Sequence, residues 1–306
     1  MGLDYNGVKY LLYCKYVNKV EFGSVLMLGR QNLHLSKDKL SSLFDEFDIT
    51  YNKEILNDIM PHKFAYADML LKYLGASEVH SLDYSDYEES DLIHDLNEKI
   101  DINQHEKYNC VIDGGTLEHV FDVKNAFYNC MNFLKLNGYF ISITPANNFM
   151  GHGFYQFSPE LFYRIFDSDN GFEVLSLCLV ESDSRYNSNI WYSVKDPKVV
   201  KSRITVQNFC KTYMMTCAFK NEVKNDSLFS NMLQSDYVET WNDSEVRQYN
   251  SISTQNKSLT VFFIKFIKLI IPNNIKMKVY QRLYDNKSNL SSRNKFFDVV
   301  KKIYKI

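Results

Sequence analysis

Glu118 and His119 stand side by side in this chain, and His152 follows in a loop between Gly151 and Gly153. An imidazole titrates near neutral pH, so His119 and His152 are the candidates for drawing a proton from an oxygen or nitrogen nucleophile. Glu118 could orient a histidine or bind substrate hydroxyls. One carboxylate and two imidazoles could also bind a cation. The expectation, however, is a site without metal. Asn147, Asn148, Tyr155 and Gln156 are read as substrate contacts, because they sit in a polar loop that no packing pattern claims. The aromatic residues Phe154, Tyr155 and Phe157, with Trp191 and Tyr192, are either a stacking wall or cover for a sheet edge.

These residues follow two apolar runs, Tyr108 to Ile112 and Tyr139 to Ile143, which read as buried strands. Ligands in open α/β sheets bind outside the carboxyl ends of strands, which is where both sets fall. Earlier strands are expected at 24–29, Glu78 to Leu82 and Asp91 to Ile93, and later ones at Phe172 to Val180 and Lys211 to Phe219. Helical spacing predicts a leading helix over Val8 to Val20 and another over Val123 to Leu136, ended by Asn137-Gly138. Ser158 reads as a helix cap with Pro159 at the first helical position. The expected class is α/β: a Rossmann-like, mostly parallel, seven-stranded sheet with flanking helices and a helical C-terminal extension.

The first strand ends at Gly29, where a glycine lets the backbone turn closely around a ligand, and Arg30 and Gln31 could add polar contacts. Asp83 ends the second strand, where an acid can accept ribose hydroxyls, and Asp95 ends the third. The order of Gly29, Asp83, the Asp95 turn, DGGTLEHVFD and NGYFISITP resembles the class I S-adenosylmethionine-dependent methyltransferases over roughly residues 20–220. The segment GHGFYQFSPE further resembles a subgroup associated with bacterial surface-polysaccharide and glycan modification. The resemblance implies S-adenosylmethionine as cofactor. Gly29, Arg30 and Gln31 would approach it, Asp83 and Tyr84 would hold the ribose, and Asp95 with Leu96 would border the adenine. Asp113, Gly114, Gly115 and Thr116 would line its amino-acid end. The first motif departs from the family's pattern: Met27 and Leu28 stand where an acid usually precedes the glycine, and the later glycines are missing.

The composition, 45% apolar and 24% charged, is that of a soluble globular protein. Six cysteines scattered singly match neither a zinc pattern nor a disulfide framework, and no leader segment is recognised, so a cytoplasmic protein is expected. Twelve lysines and arginines against Asp285 and Asp298 give residues 257–306 a charge of +10, leaving −12 for the rest. Residues 1–220 are therefore read as the methyltransferase domain, and 221–306 as a connection and a basic, partly amphipathic helical extension. Leu259 to Ile271 is too short and too charged for a membrane span; it reads as a helix packed on the main domain with a solvated basic face, or as one in peripheral contact with an anionic membrane. The expected reaction is methyl transfer to an oxygen, less favoured a nitrogen, of a glycan or nucleotide-linked sugar. The alternatives are an RNA methyltransferase, disfavoured by the acidic main region, and a scaffold that has lost the cofactor.

Overall fold

The computed structural model describes residues 2–182, 190–224, 228–230, 232–244 and 297–299. The chain opens with β1 (Gly2–Leu3) and α1 (Tyr5–Tyr16), followed by β2 (Gly23–Leu28) and β3 (Asn32–Leu33). Three helices come next, α2 (Lys37–Glu46), α3 (Lys53–Ile59) and α4 (Asp68–Tyr73), then β4 (Ala76–Asp83), β5 (Leu92–Ile93) and β6 (Tyr108–Asp113). The second half holds α5 (Val123–Phe133), β7 (Leu134–Asn147), α6 (Pro159–Ile165), β8 (Phe172–Ser182), β9 (Trp191–Val194) and α7 (Pro197–Val200). It ends with β10 (Lys211–Lys220), α8 (Ser235–Ser244) and β11 (Phe297–Val299).

All seven expected strands are present, but the main sheet has nine, in the order β11-β9-β8-β10-β7-β6-β2-β4-β5. Only β9 and β10 run against the common direction, so the sheet is mostly parallel. The strand count is corrected by β9 and β11, which extend the edge beyond β8. Taken in chain order, the six like-directed strands from β2 to β8 lie 3-2-1-4-5-6 across the sheet, with β10 inserted between the fifth and sixth. That is a doubly wound order, and its reversal between β2 and β6 opens a crevice at their carboxyl ends.

Strand side chains alternate faces, and here both faces are buried. Val25, Met27, Ile112 and Ile141 pack with α1, α2 and α4, while Leu26, Leu28, Val111 and Phe140 pack with α5 and α6. The leading helix begins earlier than its apolar spacing suggests because the Asp4 carboxylate accepts the Gly7 amide at 2.9 Å. Asn137-Gly138 does not stop α5. The chain passes straight from Phe133 into β7, and Asn137, at φ 64°, makes an irregularity within that strand. Lys220 completes the junction: its buried ammonium donates to the carbonyls of Met131 and Leu134 at the end of α5.

Trp191 and Tyr192 are sheet cover. Trp191 lies buried in β9 edge-on to Tyr10 and Tyr13, its indole N–H donating to Asn6 Oδ1. Of the expected helical extension, α8 is a helix held to α6 through Glu160, which accepts from the Ser235 amide and hydroxyl, whereas β11 is a strand of the main sheet. Leu259 to Ile271 and its lysines lie outside the described residues. Among the described residues no helix is long and apolar enough to cross a membrane.

Candidate functional site

The turn after β6 organises everything around it. Asp113 is fully buried; its Oδ1 accepts the amides of Thr116 at 2.8 Å and of Gly115 and Leu117 at 3.3 Å, and its Oδ2 accepts the Ser142 hydroxyl at 2.8 Å. Thr116 donates its hydroxyl to the Leu28 carbonyl at 2.7 Å, tying this turn to the end of β2. Both side chains are thus committed to the turn itself, which leaves backbone as what they offer an amino-acid end of a cofactor. Gly115, at φ +101°, takes the left-handed conformation that a side chain would resist.

One short 3-10 turn later, Leu117 enters the core and Glu118 points into a pocket. Glu118 is 1% exposed, and neither carboxylate oxygen has a hydrogen-bond partner. Burial, reinforced by the negative charge of Asp113, pushes its pKa up to about 8. His152 Nε2 lies 3.5 Å and His119 Nε2 3.9 Å from Glu118 Oε1, and the two rings are 5.2 Å apart. Burial and the neighbouring His152 hold His119 below the usual imidazole range. At neutral pH the Glu118–His119 contact is therefore a meeting of uncharged groups, not an ion pair.

The loop after β7 carries His152 to this place. Its shape comes from the residues expected to bind substrate. Asn147 donates to Asn208 Oδ1 at 2.9 Å; Asn148, at φ 61°, donates to Asn208 and to the Cys210 carbonyl at 2.8 Å. Gln156 Oε1 accepts the Phe149 amide at 2.7 Å, and Tyr155 donates its hydroxyl to the Phe121 carbonyl at 2.7 Å. None of these four lines the pocket. The structure gives them another task, that of bracing the loop, because a polar side chain in a folded loop is satisfied first by backbone groups nearby. The Phe154 and Tyr155 amides both donate to the Glu118 carbonyl, so the loop is latched to the residue it faces.

The chain's own start completes the pocket, and nothing in the spacing announced it. β1 pairs with β3 just beyond the first turn, and Asp4 and Asn6 line the same pocket as Glu118, together with Ile143 and Met215. The one available signal was the Asp4 cap, which marks where α1 starts but not what it faces.

The expected cofactor residues gather on the other side of the crevice. Gly29, at φ +69°, follows β2 directly. Gln31 is fully buried, donating to the carbonyls of Leu28 and Gly29 at 2.8 and 3.2 Å, while its Oε1 has no partner. That oxygen would be 2.4 Å from a Cβ at Gly114, so only glycine admits it. Arg30 turns away: its guanidinium lies 4.1 Å from the Tyr66 ring centre, 3.6 Å from Asp68 and within 3.3 Å of the Glu88 carbonyl. Asp83 ends β4 in register with Ile93, and its carboxylate accepts the Tyr84 amide at 2.7 Å; Tyr84 itself is exposed. Asp95 accepts from the Asn97 amide and side chain, bonds that hold its carboxyl below the usual range. Leu96 is core.

These positions suit S-adenosylmethionine in two respects. Asp83 stands where a ribose-binding acid belongs, and the unpartnered Gln31 oxygen is an acceptor suited to an ammonium group. No protein-family model matches the chain, and no curated protein matches its sequence. Among solved structures, one from Listeria monocytogenes, described as an S-adenosylmethionine dependent methyltransferase, aligns over 70% of this chain and 97% of its own at 13% identity and a TM-score of 0.40. The Bacillus YcgJ protein aligns over 71% and 99% at 9% identity and a TM-score of 0.37. The N-methyltransferase NodS from Bradyrhizobium japonicum, in complex with S-adenosyl-l-homocysteine, aligns over 70% and 86% at 8% identity and a TM-score of 0.36. Likeness at these values carries no argument; the doubly wound fold rests on this chain's own strand order and pairing.

Proposed function

We propose that the chain is an enzyme that moves a methyl group from S-adenosylmethionine to an oxygen of a glycan or nucleotide-linked sugar. One observation carries this reading. The crevice between β2 and β6 has an acid for a ribose on one flank, Asp83, and on the other a pocket where an unpartnered carboxylate meets two imidazoles. The cofactor supplies a methyl carbon on a positively charged sulfur, which keeps the electron pair of the broken bond. Asp83 would accept ribose hydroxyls, and the Gln31 oxygen with the Gly114–Gly115 backbone would seat the amino-acid end. The acceptor would enter from the side of Asp4 and Asn6, and its hydroxyl would meet Glu118, which orients it, and the imidazoles of His119 and His152, which are placed to take its proton. A pocket lined by Asp4, Asn6 and Glu118, with no arginine or lysine among the described residues that line it, suits hydroxyl-bearing acceptors better than a polyanion, whose phosphates call for arginine and lysine. The basic residues from Lys257 onward would hold the enzyme at an anionic membrane. A chain lacking them that still sediments with anionic vesicles removes that part of the reading.

The test is calorimetric titration of S-adenosylmethionine and S-adenosylhomocysteine into the purified chain and into Asp83→Ala. Micromolar binding that the variant loses supports the reading, and a folded wild type that binds neither ends it.

A further inference from the structure

A buried carboxyl group with no hydrogen bond is costly whether or not it is charged, and in a folded protein it calls for a partner that the side chains alone do not supply. Glu118 is such a group: both oxygens are enclosed and neither is bonded. The two imidazole nitrogens nearest to it, at 3.5 and 3.9 Å, are beyond good hydrogen-bond range. They are at the spacing of ligands around a shared ion. Atoms each about 2.1 Å from one metal stand roughly 3–3.5 Å apart; the two Glu118–histidine separations are close to that spacing, and the widest separation in the group must close by about 1 Å, which a turn of the half-exposed histidine rings can supply. One ligand atom from each of Glu118, His119 and His152 falls within 4.8 Å of the others, and no other such group of three occurs among the described residues.

We propose that Glu118, His119 and His152 form a binding site for one divalent transition-metal ion. The surroundings are built for it. Gly115 leaves room beside Glu118 Oε1, where a Cβ would lie 3.2 Å away, and Gly153 lets the His152 loop close on the Glu118 backbone, where a Cβ would meet its carbonyl at 2.7 Å. His152 is fixed by its amide bond to the Phe149 carbonyl and by its ring against Phe149; the His119 amide is held by Thr116. The donor set names the class of ion. Two imidazoles and one carboxylate suit zinc, iron(II), cobalt(II) or nickel(II), whereas magnesium and calcium prefer oxygen throughout. Three protein ligands leave positions open toward the pocket, the pattern of a reactive rather than a structural site. A hydroxyl bound there would lose its proton more readily, the proton passing to solvent and the oxygen keeping its electron pair. That last link rests on the methyl-transfer reading; metal binding does not.

The experiment titrates cobalt(II) into the metal-free full-length chain, following visible absorption and thermal unfolding. Expected are one cobalt per chain, an absorption band of nitrogen and oxygen coordination, and a raised Tm. Glu118→Gln and His152→Gln should each weaken binding on the order of 100-fold, by analogy with the losses seen at metal sites. Exposed His62→Gln should leave it unchanged. A folded wild type that takes up no cobalt overturns the proposal, as do variants that bind as tightly as wild type. If Glu118→Gln unfolds, His152→Gln decides, because its ring is nearly half exposed. Uptake of magnesium without cobalt overturns the donor class. S-adenosylhomocysteine titrated into the same samples separates loss of the metal site from loss of the cofactor reading.

Discussion

The carboxyl edge of the sheet carries two rims that differ in how their polar groups are satisfied. Along β2, β4 and β5 the charged groups bond mostly to one another and to backbone: Arg30 to Asp68 and the Glu88 carbonyl, Asp91 to Ser81, Asp95 to Asn97. Around Glu118 the loop residues are equally well bonded, yet the buried Glu118 carboxyl at its centre has no hydrogen bond, only the contacts of two half-exposed imidazoles. A group bonded within the protein holds shape. A buried group left unbonded is held ready for something else. The first rim therefore reads as a fitted cradle with few free atoms, Gln31 Oε1 among them, and the second as a braced frame around one unpartnered buried acid.

Asp113 belongs to both rims, and its loss should have the largest effect. Asp113→Ala leaves three amides and the Ser142 hydroxyl unpaired in the interior. Denaturant unfolding should show a loss of about 3 kcal/mol, and cofactor and cobalt binding should fall together. Retention of either would mean that the rims are built independently. Asp83→Ala acts on the cradle alone. It should lower affinity for S-adenosylhomocysteine by roughly 10–100-fold, the worth of one charge-assisted hydrogen bond, with cobalt uptake unchanged.

Gly153→Ala makes the opposite cut. Its methyl group would press on the Glu118 carbonyl, displacing the His152 loop at a cost of roughly 1–3 kcal/mol. Cobalt binding should weaken while calorimetry still finds the cofactor. The smallest effect is expected at Asp91, on the cradle's outer edge. Burial would raise its carboxyl, but the bonds from the Ser81 amide and hydroxyl, with the charges of His80 and Arg30, hold it below its ordinary 3.8. A carboxyl depressed in the folded state stabilises above its unfolded value and loses that contribution as the pH falls through the folded one. Asp91→Asn should therefore lower Tm slightly at neutral pH, where that contribution is fully present, and flatten the fall of Tm below about pH 4.

Much of the fold could be read from the chain. SVLMLG, YNCVID and FEVLSLCLV are apolar without interruption, as a strand buried on both faces must be, and they became β2, β6 and β8. Ser158 and Pro159 started a helix as their chemistry requires. The failures were of context. Asn137-Gly138 has the chemistry of a helix stop, but in β7 it serves as an irregularity, because the junction with α5 was already capped by Lys220 from a distant strand. WYSV is too short to stand out, and its pairing with β8 made it β9.

The site divides in the same way. Sequence by itself determined that Asp83, Glu118, His119 and His152 would lie at strand ends or in the loops just beyond them, because strand length and turn chemistry are local matters. Only the tertiary structure decided that Asn147, Asn148, Tyr155 and Gln156 brace the loop, that Arg30 turns from the crevice, and that Asp4 and Asn6 wall the pocket. Which polar group is satisfied and which is left waiting depends on neighbours brought together across the fold, and hydrogen bonding is settled in space rather than along the chain.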